Sequence, residues 1–240
     1  MSAFEGFERR DFLFEDRKAT VILPPEPKKG AAIAIKCEYQ DAFPGTETEL
    51  LKRGHYVTFI KNDDRWGRKE ELERKARFVE FVAKEYGLAP RCIPVGMSCG
   101  GLIGIKFAAA FPDMVSALYA DAPVVNYMSC PLGFGKSDPL DGSPDEILKA
   151  LKISFEELLA YRDMPLDHIG DLVKSRIPLA LVAGDSDSVV PFDENGIFLK
   201  QAYEKTDIPF FFKLKPGCDH HPHGLEDPAE LADFLERFDG

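Results

Sequence analysis

The segment Arg91-Cys-Ile-Pro-Val-Gly-Met-Ser-Cys-Gly-Gly-Leu-Ile-Gly-Ile-Lys106 constrains this chain more than any other. A short apolar run ends in Gly96-Met97-Ser98-Cys99-Gly100, and a small-residue helical pattern follows without a spacer. That order predicts a strand over 92–96, a helix over 100–111, and a turn between them tight enough to push one side chain, Ser98, into a pocket. Strand and helix then cross so closely that Cβ atoms at Gly96 and Gly100 would collide, and glycine tolerates the dihedrals such a turn imposes. Ser98 would stand at the helix N-terminus, with the Cys99 amide aimed where an oxyanion develops.

Around this turn, short apolar runs alternate with amphipathic segments, the pattern of βαβ units. Residues 10–14 and 19–23 read as a hairpin closed by the polar turn 15–17, and 31–37 as a strand buried on both faces. A short helix over 46–53 stops at Gly54. Strands follow over 56–61 and 117–121, with a long charged helix over 69–86 ended by Gly87 as its C-cap. The alternation resumes with a strand over 179–184, a helix over 193–205, a strand over 210–215 and a helix over 229–238. The expected fold class is α/β: a mostly parallel sheet of about eight strands with helices on both faces.

Between about 127 and 176 no strand pattern is found. Two helix starts stand there, Ser143-Pro144-Asp145-Glu146 and Ser154-Phe155-Glu156-Glu157, each with the spacing of a capping box. So few aromatic residues in so short a stretch make a poor independent core, so it reads as a small helical cap inserted into one domain spanning 1–240.

Composition bears on partners. A formal net charge of −11 argues against nucleic acid or an anionic membrane surface. The charged start, Met1 to Arg10, lacks the apolar core of a signal peptide, and no run approaches the roughly 18 apolar residues of a membrane helix. Five cysteines without a Cys-x-x-Cys pair suit a reducing compartment, so a cytoplasmic location is expected. Cys37, Cys99, Cys130 and Cys218 read most simply as small apolar filler where strands end. Nothing in the chain argues for or against a homo-oligomer.

A serine is a poor nucleophile without an adjacent base, which a third group must orient. Two later loops offer both. After the strand over 179–184 come Gly184-Asp185-Ser186-Asp187-Ser188-Val189-Val190-Pro191, with two carboxylates. After the strand over 210–215 come Pro216-Gly217-Cys218-Asp219-His220-His221-Pro222-His223. Both loops follow their strands and so lie at the carboxyl edge of the sheet, where open α/β folds bind ligands.

With these residues in place, the chain resembles the α/β-hydrolase superfamily over nearly its whole length, and most of all its esterase-like bacterial members. The family's acid loop, Gly-x-x-Asp-x-x-Val-Pro, matches Gly184, Asp187, Val190 and Pro191; its histidine loop, Gly-x-x-His, matches Gly217 and His220. The resemblance implies Ser98 as nucleophile, His220 as general base and acid, and Asp187 as the orienting carboxylate, with Asp185, His221 and His223 as rivals on the same loops. One oxyanion donor would be the Cys99 amide. The second usually follows the third strand in a His-Gly sequence, but here that stretch is Lys36-Cys37-Glu38-Tyr39; Glu38 is the candidate, with Cys37 and Tyr39 as neighbours. Tyr39, Trp66, Tyr127 and Met128 are candidates for lining the substrate pocket, and each reads equally well as packing. Three histidines around Pro222 could hold zinc, but no Glu stands at helical spacing beside them, so no metal is expected. The implied activity is hydrolysis of a small-molecule carboxylic ester, such as a short-chain acyl ester or acylated sugar, with no cofactor. An amidase or peptidase of the same fold, or a non-catalytic ligand-binding protein, are the alternatives.

Overall fold

Alternation inside fully buried strands decides the layering. In the computed structural model, which describes residues 2–140 and 142–239, Ile33 and Ile35 point to one face of a sheet, and Ala32 and Ala34 to the other. Leu179 and Leu181 alternate in the same way with Ala180 and Val182. Strands buried on both sides require cover on both sides.

The chain runs β1 (Ser2–Phe4), β2 (Phe7–Phe14), β3 (Arg17–Leu23), β4 (Ile33–Lys36), α1 (Gly45–Lys52), β5 (Val57–Ile60), α2 (Lys69–Tyr86), β6 (Cys92–Met97), α3 (Cys99–Ala110), β7 (Leu118–Asp121), α4 (Ser143–Leu151), α5 (Phe155–Leu159), α6 (Ile169–Lys174), β8 (Leu179–Gly184), α7 (Gly196–Tyr203), β9 (Phe210–Lys215) and α8 (Pro228–Leu235). The nine strands lie in the order β1-β2-β3-β5-β4-β6-β7-β8-β9. The β1-β2-β3 meander joins β5 antiparallel, and the pairings from β5 to β9 are parallel. The strand beyond the expected eight is β1, too short for a period of two to show in sequence. Positions 1, 141 and 240 of the expected single domain lie outside the described residues.

Leu50 and Leu51 of α1 and Leu231 and Leu235 of α8 cover one face. Phe78 and Val82 of α2, Leu102 and Phe107 of α3, Leu172 of α6 and Leu199 of α7 cover the other. The α3 helix is buried without interruption from Cys99 to Ala108. A helix so enclosed cannot shift, which fixes whatever its N-terminus presents.

The inserted region carries α4, α5 and α6. Its Ile147, Leu158, Met164 and Leu172 belong to the same apolar cluster as Phe107 and Leu118. Buried Lys106 of α3 donates to Asp163 at 2.9 Å, and Asp163 also takes Tyr161 Oη at 3.0 Å and faces His168 Nε2 at 2.6 Å. Burial alone would raise the Asp163 carboxyl, but His168 and Lys106 hold it well below the usual carboxylate range. The capping box at Ser154 forms: its Oγ accepts from the Glu157 amide and the Glu157 carboxylate accepts from the Ser154 amide. The expected box at Ser143 does not. Gly142 precedes the helix, and Ser143 Oγ and Glu146 instead accept from the Arg65 guanidinium at 3.1 and 2.7 Å. A strong charge-assisted partner outcompetes a local cap.

Asn195 ties the insertion to the acid loop. Its Oδ1 accepts from the Val125 and Asn126 amides, both at 3.0 Å, and its Nδ2 donates to Ser129 Oγ and the Pro191 carbonyl, both at 3.2 Å. Replacing Asn195 by leucine orphans the buried Val125 amide and the part-buried Asn126 amide, at roughly 1–3 kcal/mol each. The expected result is a fall in unfolding free energy of about 2–5 kcal/mol in urea with an unchanged m-value.

Candidate active site

The turn after β6 has the strained geometry its sequence demands. Ser98 sits at φ 53°, ψ −122°, a conformation that side-chain-bearing residues avoid. Its backbone is over-determined: the Ser98 amide donates to the Asp121 carbonyl at 2.9 Å, and the Ser98 carbonyl accepts from Gly101 at 2.9 Å and Val124 at 3.2 Å. A Cβ on Gly96 would fall 2.2 Å from the Gly100 carbonyl oxygen, so the crossing is as close as expected there. At Gly100 a Cβ would crowd Glu38 at 3.3 Å without overlapping it, whereas at Gly101 it would strike Pro123 at 2.5 Å. The second glycine that closeness demands is therefore Gly101, against the strand end after β7, which sequence reasoning overlooked.

Ser98, Asp187 and His220 meet. Ser98 Oγ lies 3.1 Å from His220 Nε2, and His220 Nδ1 lies 2.8 Å from Asp187 Oδ2. Asp187 is buried, and its other oxygen accepts from the Val189 and Val190 amides at 2.9 and 2.7 Å. With a carboxylate facing Nδ1, that nitrogen carries the proton and Nε2 presents its lone pair to the serine.

The rivals on both loops have other work. Asp185 accepts from the Gly217 amide at 2.7 Å and from Ser186 Oγ, closing a turn. Asp219 accepts from the Ser188 amide at 2.8 Å and the His220 amide at 2.7 Å, so it ties the acid loop to the histidine loop. Those amides hold the Asp219 carboxyl below the usual range. His223 is buried against Asp121 at 2.9 Å, and Asp121 also accepts from Tyr119 Oη and the Gly224 amide. His221 is exposed and stacks on Phe43 at 5.3 Å. The loss of water where its ring packs on its neighbours, with His220 and His223 alongside, lowers its basicity.

The Cys99 amide opens α3 and has no carbonyl a turn earlier to bond. After β4, the Cys37 amide is committed to the Val95 carbonyl at 2.9 Å, which removes it as an oxyanion donor. The Glu38 nitrogen stands 3.3 Å from where a Gly100 Cβ would be, so it packs against the same helix start. The loop is pinned by Asn62, whose Nδ2 donates to the Cys37 carbonyl at 2.8 Å and to the Glu38 carboxylate. No motif marks Asn62, and only its place after β5 could have singled it out.

A cavity of about 260 Å³ opens beside Ser98, lined by Tyr39, Ala42, Phe43, Met97, Ser98, His220, His221 and His223. Of the four residues expected to line it, Tyr39 does. Trp66 and Tyr127 are fully buried, pack edge to face at 6.0 Å, and belong to the apolar core together with Met128, away from this cavity's lining. The bulk that reads as a pocket wall serves to seat the insertion on the body. Phe43 and Ala42 replace them, from a turn whose sequence carries no pattern. A larger cavity of about 440 Å³ lies between Lys106, Asp163 and His168, with no serine, threonine or cysteine in its wall.

Burial pushes the Cys37 and Cys99 thiols up to about 11 and Cys130 up to about 12, as expected of apolar filler; Cys218 alone of the five is partly exposed. No helix among the described residues is long and apolar enough to cross a membrane.

No family model and no curated protein matches the sequence. Solved structures do match in shape. One, provisionally assigned as a dipeptidyl aminopeptidase IV from Bacteroides ovatus ATCC 8483, aligns with a TM-score of 0.68 at 14% identity, over 97% of this chain and 35% of that one. Another, a bifunctional GH43-CE protein from Bacteroides eggerthii, aligns with a TM-score of 0.72 at 17% identity, over 97% and 38%. This chain thus spans little more than a third of either. At such identities the likeness concerns the fold, which is of the α/β-hydrolase type.

Proposed function

We propose that this chain is a serine hydrolase that cleaves small carboxylic esters through an acyl-enzyme on Ser98. The observation that carries the reading is the unbroken relay from Ser98 Oγ through His220 to a buried, doubly hydrogen-bonded Asp187. His220 Nε2 takes the Ser98 proton as Oγ attacks the ester carbonyl. The amides of Cys99 and Glu38 receive the charge that gathers on the carbonyl oxygen. His220 then protonates the departing alcohol, leaving the acyl group on Ser98. Water repeats the cycle with His220 again as base, releasing the acid and restoring the serine. Asp187 keeps Nδ1 protonated and stabilises the imidazolium between steps. The chemistry draws on side chains and amides alone.

Cavity size supports a short acyl group or an acylated sugar, since about 260 Å³ is below the usual range of roughly 300–1,000 Å³ for ligand pockets. The shape match to an aminopeptidase-like protein gives an amide-cleaving alternative some weight. On the same footing we place the protein in a reducing compartment such as the cytoplasm, since its five cysteines are unpaired.

A p-nitrophenyl ester series from acetate to dodecanoate, run beside aminoacyl p-nitroanilides, tests the reading. Hydrolysis peaking at short acyl chains is expected. Anilide cleavage without ester preference would replace the esterase by a peptidase. Failure of Ser98 to react with a fluorophosphonate would remove both.

A further inference from the structure

One wall of the cavity beside Ser98 is made of three imidazoles. The ring centroids of His220, His221 and His223 stand 4.9, 4.9 and 5.0 Å apart, an almost equilateral triangle. One nitrogen from each lies within 4.8 Å of the other two, and among the described residues no other group of metal-binding side chains converges in this way. Two of the rings are already braced as metal ligands usually are. His220 has Asp187 behind Nδ1 at 2.8 Å, and His223 has buried Asp121 behind Nδ1 at 2.9 Å. A carboxylate on the far nitrogen fixes the tautomer, leaves Nε2 free to bind and raises its donor strength. A Ser–His–Asp site needs one such pair; this chain has built two.

We propose that the cluster is an inhibitory binding site for a zinc-type divalent cation, which captures Nε2 of His220 and so withholds the base from Ser98. This rests on the reading of His220 as general base. The lone pair that would bind the metal is the one that must accept the serine proton, and it cannot do both. Zinc–imidazole bonds of about 2.0–2.1 Å set tetrahedral ligands about 3.3 Å apart, so the nitrogens need to draw together by no more than about 1.5 Å. His221 is the ring free to make most of that movement, because it is exposed and, among the described residues, its ring makes contacts with Phe43, His220 and His223 but no hydrogen bond. A water or Ser98 Oγ would fill the fourth position. The ligand set is all nitrogen, which suits zinc, copper or nickel and excludes magnesium and calcium, whose sites are built from oxygen. The buried carboxylates of Asp121 and Asp187 offset the added charge.

The test uses Zn²⁺ alone, titrated calorimetrically into the full chain and into Ser98→Ala, Cys218→Ser and His221→Ala. One-site binding is expected, retained in Ser98→Ala and in Cys218→Ser, which removes the partly exposed thiol of the same loop. Losing a ligand should weaken it at least about tenfold in His221→Ala. The zinc-loaded protein should react with a fluorophosphonate at least about tenfold more slowly than the metal-free protein and recover with EDTA. Absent binding, binding undiminished in His221→Ala, or labelling unaffected by zinc would each overturn the proposal. Because calorimetry on Ser98→Ala requires no turnover, zinc binding with this ligand dependence in a protein that hydrolyses no ester would keep the metal site and discard the esterase.

Discussion

Replacing Ser98 by alanine is expected to lower ester turnover by roughly 10⁴-fold or more while leaving the thermal transition in place. Both halves follow from the geometry. The hydroxyl's partner is His220 Nε2, so its loss removes the proposed nucleophile. The strained turn does not depend on that hydroxyl. The Ser98 backbone is held by Asp121, Gly101 and Val124, and alanine meets the same positive φ as serine. Steady-state kinetics with p-nitrophenyl acetate and a melting curve check the two halves separately. Near-normal turnover in a folded variant would move the chemistry away from Ser98 altogether.

The second large effect is expected at Gly184, the last residue of β8. A Cβ there would stand 2.1 Å from the Cys218 carbonyl oxygen and 2.7 Å from that of Asp219. Backbone cannot swing aside as a side chain can, so Gly184→Ala must move one loop away from the other. The loops are joined by the Ser186 amide on the Cys218 carbonyl and by Asp219 on the Ser188 amide, and they carry Asp187 and His220. Overpacking of this kind costs about 1–3 kcal/mol. Misplacing the base by even an ångström costs roughly 10²-fold in rate. The expected variant is folded, a few degrees less stable, and at least about a hundredfold slower. Fluorophosphonate labelling should slow in parallel, because it needs the same base. A variant with unchanged kcat would show that the two loops are not coupled through this contact.

Much of this architecture could be read in the chain beforehand. The strands from β4 to β8 announce themselves because each is buried on both faces, so its apolar run is nearly continuous, whereas β2 shows only the alternation of a half-exposed strand. Ser98 was legible because the turn it occupies needs small residues at fixed offsets, and Asp187 and His220 because their loops follow strands. What could not be read was contact between distant side chains. Nothing local distinguishes Trp66, sealed in the core against Tyr127, from a tryptophan at a pocket mouth. The claim of Arg65 on Ser143 and Glu146, which undid a well-formed capping sequence, spans a gap no pattern crosses. The pairing of Asp121 with His223 is equally silent, since the two lie 102 positions apart.

The cover of the α1 face has a consequence for how the molecule comes into being. Leu50 and Leu51 are buried with Leu231 and Leu235 of α8 in one cluster. Around that cluster Arg53 pairs with Asp233, and Lys28 and the Ala32 amide bind Asp239. Arg53 and Asp233 stand 180 positions apart, so the ribosome makes one long before the other. Until α8 is made, the part of the α1 side that Leu231 and Leu235 cover stays open to water. The nascent chain therefore carries one partly bare apolar flank until α8 emerges, the condition under which chaperones engage and aggregation competes.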